Sequence, residues 1–230
     1  MIPFGSVVEW VVVNYNTQDG MDEGLRDYLS FIMKGHLTYY RTTDSQYFNH
    51  SHAKNLSHFL ASGDYVMNLD ADNFLDIDGI SKILRGFYQY PHALIQGYGG
   101  LIGLKKSHFL SIGGYDEDFL GWGHEDNDII MRARAWGLTH LQSDCLRGRI
   151  EHGDEERVEN FDPALSEAFE AKDPIGIRKE MNDRNWRMRM LKAHAGGIRA
   201  NENRMIGKAR VTKNFSEEEF EAGWVTTSEK

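Results

Sequence analysis

Residues 64–72, DYVMNLDAD, place two carboxylates at the end of a short apolar run. Tyr65, Val66, Met67 and Leu69 suit a buried strand, and Asp70-Ala71-Asp72 then turns the chain. Working outward, helical spacing predicts helices on either side: Phe48 to Ala61, with Leu56, Phe59 and Leu60 inward, and Ile77 to Tyr88. Upstream, Val7 to Val13 reads as a strand buried on both faces, residues 21–33 as a helix, and Leu37 to Arg41 as a second strand. Downstream, Ala93 to Leu104 is extended around a glycine-rich middle, Lys106 to Ile112 is a short helix, and Leu138 to Leu141 a short strand. Strands alternating with helices predict an α/β layer fold. Asn14 and Asn16 follow the first strand, at the strand end where open α/β sheets bind ligands.

The chain has 230 residues, enough for one substantial core with an appendage. Its single cysteine, Cys145, forms no intrachain disulfide, so a reducing compartment and a cytoplasmic location are expected, of bacterial, phage or viral type. No run approaches the roughly 20 apolar residues of a membrane span. The N-terminus lacks a basic region and cleavage site and reads as a strand. The Asn-x-Ser sequons at Asn49, Asn55 and Asn214 are then without consequence for glycosylation. The net charge of −9 is uneven: residues 178–213 hold 11 basic and three acidic side chains, whereas residues 1–160 hold 13 and 23. An acidic catalytic body with a basic arm is the simplest description.

Three features carry chemistry. Asp70 and Asp72 can reach one hard cation, Mn²⁺ or Mg²⁺, which bridges to phosphate oxygens, although Asp is also a common turn residue. Gly121-Trp122-Gly123 is followed by His124, Glu125, Asp126, Asn127 and Asp128, and Ile129, Ile130, Ala133 and Trp136 continue at helical spacing. The glycines allow a tight turn and close approach to a bound group, and Trp122 offers a flat face for a sugar ring. Acids in a first helical turn also have the plain role of complementing the helix dipole. The third feature is His152, a possible nitrogen ligand for the same cation, though a lone histidine is more often structural. Neither a P-loop nor a dinucleotide-binding glycine motif occurs.

FNHSHAKN (48–55), YVMNLDADNF (65–74), YGGLIGLKKSHFLSIGGY (98–115), GWGHEDNDIIMR (121–132) and RIEHGD (149–154) stand in the order seen in GT-A fold glycosyltransferases. Over residues 7–160 the chain resembles the β-1,4-galactosyltransferase and bacterial chondroitin-polymerase branch. The resemblance implies a Rossmann-like mixed sheet flanked by helices, a UDP-linked sugar donor and a divalent cation. It implies Asp72 and His152 as metal ligands, Asp70 near the ribose, and Glu125 with Asp126 at the acceptor. Lys54, Asn55, Gly97, Gly100 and Trp122 join Asn14 and Asn16 as candidate donor- or acceptor-binding residues. Asp126 matches the general base, and Glu-Asp in place of the Glu-Asn of retaining relatives implies inversion. A helix N-terminus should keep Asp126 ionised at neutral pH, and the adjacent Glu125 should point elsewhere, toward acceptor hydroxyls.

Two departures stand out. Arg149 occupies the place of a metal-ligating methionine, and Gly97 the place of a tyrosine lining the donor-sugar pocket. Gly97 either leaves room for a 2-acetamido group or serves backbone geometry alone. Beyond residue 160 the resemblance fades. Ile177, Met181, Met188 and Leu191 form a helical stripe with Trp186 and Met190 beside it, and Gly196-Gly197 is a stop. Residues 161–230 are expected to form a helical, basic extension beside a catalytic domain of residues 1–160, with Ser216 to Lys230 loosely held. Its basic face is either solvated or binds an acidic acceptor, another copy, a nucleic acid or an anionic membrane. The expected activity is metal-dependent transfer of a hexose or N-acetylhexosamine from a UDP-sugar to a saccharide, a protein or a modified nucleic acid. A nucleotidyltransferase or phosphohydrolase using Asp70 and Asp72, and a silent sugar-binding module, are the alternatives.

Overall fold

The computed structural model describes residues 8–226. In chain order the elements are β1 (Trp10–Tyr15), α1 (Met21–Arg26), α2 (Leu29–Met33), β2 (Leu37–Thr42), α3 (His50–Leu60), β3 (Tyr65–Met67) and β4 (Asn73–Leu75). There follow α4 (Ile77–Gln89), β5 (Ala93–Gln96), β6 (Ile102–Lys105), α5 (Lys106–Ser111), α6 (Glu125–Ala135), β7 (Thr139–Gln142) and β8 (Leu146–Arg149). The last are α7 (Asp154–Glu159), α8 (Ala164–Glu167), α9 (Pro174–His194), β9 (Met205–Lys213) and β10 (Glu219–Val225). Val7, the expected first residue of β1, lies outside the described residues.

The strands form mixed sheets. One runs β1-β2-β9-β10, a second β3-β6-β5-β7, and β4 pairs with β8. β1 and β2 are parallel, as are β5 and β7; the other pairings are antiparallel. The second sheet is covered on both faces, as its near-continuous apolar strands require. Leu94 of β5 packs with Phe109, Ile112 and Ile129 from the α5–α6 side, and its neighbour Ile95 packs with Ile83 and Phe87 of α4. β1 is an edge strand, so Val11 and Val13 are only partly buried instead of enclosed on both sides.

Three expectations about the C-terminal part are corrected. The extension is helical only through α9: residues 205–225 form a hairpin whose β9 pairs antiparallel with β2. Ala209, Val211 and Ala222 of that hairpin share a core with Tyr40 and Leu56, so the end of the chain completes the first sheet. Ser216 to Val225 is therefore held by strand pairing, and residues 227–230 lie outside the described residues. The stripe on α9 also differs: Met181 and Asn185 are buried, whereas Leu191 is 73% exposed.

The sequon asparagines all have structural roles. Asn49 caps α3 by accepting from the His52 amide, Asn55 is buried, and Asn214 accepts from the Tyr39 amide.

Candidate active site

Lys54 projects from the middle of α3 into the start of α6, and its burial demands paired charge. Its Nζ donates to Glu125 Oε1 at 3.1 Å and to Asp126 Oδ1 at 2.8 Å, and it lies 5.0 Å from the centre of the Tyr115 ring. Burial alone would lower the Lys54 pKa, but Glu125 and then Asp126 overcome it and hold the ammonium charged. Lys54 is thus the counterion of the acidic pair, and both acids turn toward it. This corrects the expectation that Glu125 points away: it is buried against Lys54.

The two acids part in proton affinity. Burial opposes ionisation of Glu125, but Lys54 and then His50 pull its pKa down. Asp126 is pushed up to about 7, first by burial and further by the charges of Glu125 and Asp70, with Lys54 opposing. The helix N-terminus does not fix Asp126 as a permanently ionised group; desolvation outweighs it and makes the carboxyl titrate near neutrality.

Gly100 joins this pair to the Asp-x-Asp turn. With φ of +80°, it lies where a Cβ would meet Asp70 Oδ2 at 2.9 Å and Asp126 Oδ2 at 3.0 Å. A residue without a side chain therefore lets the two carboxylates face the same small space. Asp70 is oriented by Asn68 Nδ2 at 2.7 Å, and Asn73 Nδ2 ties the turn to the Gly99 carbonyl at 3.0 Å.

On the other side of the turn, β8 runs beside β4 and delivers His152. Its Nε2 lies 3.6 Å from Asp72 Oδ2, while its Nδ1 is 3.2 Å from Glu156 Oε2. A carboxylate on one ring nitrogen leaves the other free to act as a ligand, the arrangement usual for metal-binding histidines. Among the described residues, no group of three or more His, Cys, Asp or Glu is arranged to hold a metal ion alone. The donor set fits a divalent cation that takes one carboxylate and one imidazole from the protein and oxygens from a diphosphate and water. Arg149 sits beside this pair with its guanidinium 5.4 Å from the Tyr98 ring and bonded to Glu151 at 2.7 Å. Its positive charge makes Arg149 a poor metal ligand.

Other candidates have different duties. Gly97 is buried, and a Cβ there would meet Leu101 Cδ2 at 3.0 Å and Cys145 Sγ at 3.1 Å. Its missing side chain points into the core, so it opens no space for an acetamido group and serves backbone packing. Asn55 exchanges hydrogen bonds with the backbone of Tyr115 and donates to Glu117, which fastens α3 to the 113–117 turn and leaves no group for a ligand. Asn14 is 2% exposed, donates to Asp22 and accepts from the Thr17 amide. Asn16, at φ of +65°, donates to the Ser45 carbonyl. Trp122 has Arg157 of α7 over its ring at 5.0 Å and His50 edge-on at 5.6 Å.

Four of the 11 basic side chains of the arm pair with acids of the body. Arg178 pairs with Asp154, Lys192 with Asp116 and Asp118, Arg204 with Asp118, and Arg210 with Asp44. Part of the charge contrast legible in the sequence is thus an internal seam between the arm and the body. Glu156, Arg157 and Asn185 were not singled out by sequence. None of the three carried a usable signal: His152 precedes the Gly153 cap of α7, so its contact with Glu156 is not a helical one, and a lone Arg or Asn gave no pattern.

Residues 81–156 match the family described as the N-terminal domain of galactosyltransferase. Beta-1,4-galactosyltransferase 2 of Cricetulus griseus is 35% identical over 76 residues, 33% of this chain and 20% of that protein. Human beta-1,4-galactosyltransferase 1 is 36% identical over 55 residues, 24% of this chain and 14% of that protein. The matched part of the chain thus spans about a fifth or less of these relatives' length. Among solved structures, the mannosyltransferase PcManGT of Pyrobaculum calidifontis, in complex with GDP-Man and Mn²⁺, superposes with a TM-score of 0.52 at 16% identity. That superposition covers 82% of this chain and 66% of the archaeal one. Residues 81–156 are thus similar to part of the galactosyltransferases, and the mixed sheets flanked by helices share the GT-A fold of the archaeal structure.

Proposed function

We propose that this protein is a metal-dependent, inverting glycosyltransferase that moves a hexose or N-acetylhexosamine from a UDP-sugar to an acceptor hydroxyl. The observation that carries this reading is the meeting of Asp126 and Asp70 at Gly100, with Lys54 and Glu125 buried behind Asp126. A carboxyl near neutrality in its proton affinity and one edge of the Asp-x-Asp turn then face the same small space beside Gly100. Asp126 takes the proton of the acceptor hydroxyl as that oxygen attacks the anomeric carbon and the diphosphate departs on the opposite face. Glu125 stays ionised and, with Asp126, keeps Lys54 charged. Asp72 and His152 would hold Mn²⁺, or Mg²⁺, which would supply positive charge for the departing diphosphate. Manganese in the complex of the archaeal structure and the galactosyltransferase likeness of residues 81–156 support the same reading.

The test is incubation of the protein with a panel of UDP-sugars and Mn²⁺, with and without saccharide acceptors, read by mass spectrometry. Donor hydrolysis or transfer that stops on chelation is the expected result. Turnover that persists in excess chelator would overturn the metal assignment. No turnover of any sugar nucleotide, with nucleotide triphosphates consumed instead, would favour a nucleotidyltransferase.

A further inference from the structure

The two glycines of Gly121-Trp122-Gly123 are filled from behind by α9. A Cβ on Gly121 would meet Met181 Sδ at 2.7 Å, and one on Gly123 would run into Asn182 Oδ1. Both glycines have positive φ, +72° and +95°. Their freedom therefore admits a helix of the C-terminal extension, and no bound sugar is needed to explain them.

Between those contacts sits Asn185, completely buried. Its Nδ2 donates toward three carbonyl oxygens of the turn: Leu120 at 3.1 Å, Trp122 at 3.1 Å and Gly123 at 2.9 Å. Its Oδ1 accepts from Arg184 Nη1 at 3.1 Å, and Arg184 also reaches the Leu120 carbonyl. An amide has two N–H groups, so all its donor capacity is committed to this one turn. A buried amide whose acceptors all lie on a single loop holds that loop in one conformation. Asp183 and Arg189 of the same helix face His124, which enters α6 at φ of +73°. Backbone in that region persists only where its surroundings enforce it.

We propose that Asn185 is a positioning residue for the acceptor side of the reaction. It fixes the turn that carries Trp122 and sets the direction in which α6 presents Glu125 and Asp126. The inference rests on the glycosyltransferase reading for its kinetic consequence, but the claim about the turn stands on geometry alone. Asp70, Asp72 and His152 do not touch Asn185, so the donor side is spared.

The experiment compares wild type with Asn185→Ala, Asn185→Asp and the exposed control Lys179→Ala. UDP-sugar hydrolysis with Mn²⁺, transfer to p-nitrophenyl monosaccharides, and amide hydrogen exchange across residues 118–128 are followed. Asn185→Ala is expected to keep hydrolysis near wild type and to lose transfer on the order of 10- to 100-fold, mainly through acceptor KM. Exchange should accelerate within residues 120–126 and remain unchanged in the second sheet. Asn185→Asp removes the donors and sets a carboxylate against three carbonyls, so it should be worse than Ala, while Lys179→Ala behaves as wild type. Unchanged exchange in a folded Asn185→Ala protein, or hydrolysis falling in step with transfer, would overturn the proposal. A wild type that neither hydrolyses nor transfers any sugar would sink the glycosyltransferase reading alone, since exchange still decides the role of Asn185.

Discussion

Asp126 and Lys54 show how one buried cation governs two acids. If Asp126 is the base, transfer should fall about tenfold per pH unit below its pKa near 7. Asp126→Asn should lower transfer by roughly 10²–10⁴-fold and abolish that acid limb, while UDP binding measured by calorimetry survives. The same group has a stability signature. Its folded pKa is raised above the unfolded value, so its contribution is complete below the unfolded pKa and is lost as pH rises through about 7. Asp126→Asn should therefore raise the melting temperature more at pH 8 than at pH 5; the reverse order would exclude the raised pKa. Lys54→Met leaves two buried carboxylates without a counterion and should destabilise the fold by about 3–5 kcal/mol in urea unfolding. A neutral outcome there would mean that water reaches the pair.

At the scale of elements, β8 and α7 act together, because Asp72 of the β3–β4 turn, His152 and Glu156 are aligned only when β8 pairs with β4. Asp72→Ala should abolish metal-dependent binding of UDP. Glu156→Ala removes only the partner of Nδ1, and the Mn²⁺ concentration for half-maximal UDP binding should rise roughly 10- to 100-fold. Titration calorimetry with UDP at several Mn²⁺ concentrations checks both; an unchanged Mn²⁺ requirement in Glu156→Ala would remove it from the site.

For the whole molecule, the first sheet closes only when the C-terminal hairpin returns to β2 across more than 160 residues of chain. A protein ending at residue 204 would leave Tyr40 and Leu56 facing solvent where Ala209, Val211 and Ala222 now pack. Such a truncation should lose cooperative thermal unfolding and near-ultraviolet circular dichroism, since exposed core surface costs about 25 cal/mol per Å². A truncated chain that still melts cooperatively would show that the β1–β2 pair stands alone.

What the sequence determined by itself was local. The apolar run before Asp70, the helical spacing of 48–61 and 77–88, and the acid cluster opening α6 follow from periodicity and short-range chemistry, and each element formed within two residues of where that chemistry put it. The pairing of His152 with Glu156 was not readable, since His152 precedes the Gly153 cap of α7 and only the folded chain turns the Glu156 side chain back to it. Tertiary structure decided everything that depends on which surfaces meet. Gly97 and Asn55 looked like ligand contacts but serve packing, because Leu101, Cys145 and Tyr115 approach them from other elements. The basic arm was legible only as a choice between a solvated face and a partner site, and Asp44, Asp116, Asp118 and Asp154 take up four of its charges. The proton affinity of Asp126 was the least legible quantity of all. It is set by the sum of burial and the charges of Lys54, Glu125 and Asp70, brought in from three separate segments, and a linear sequence carries no measure of that sum.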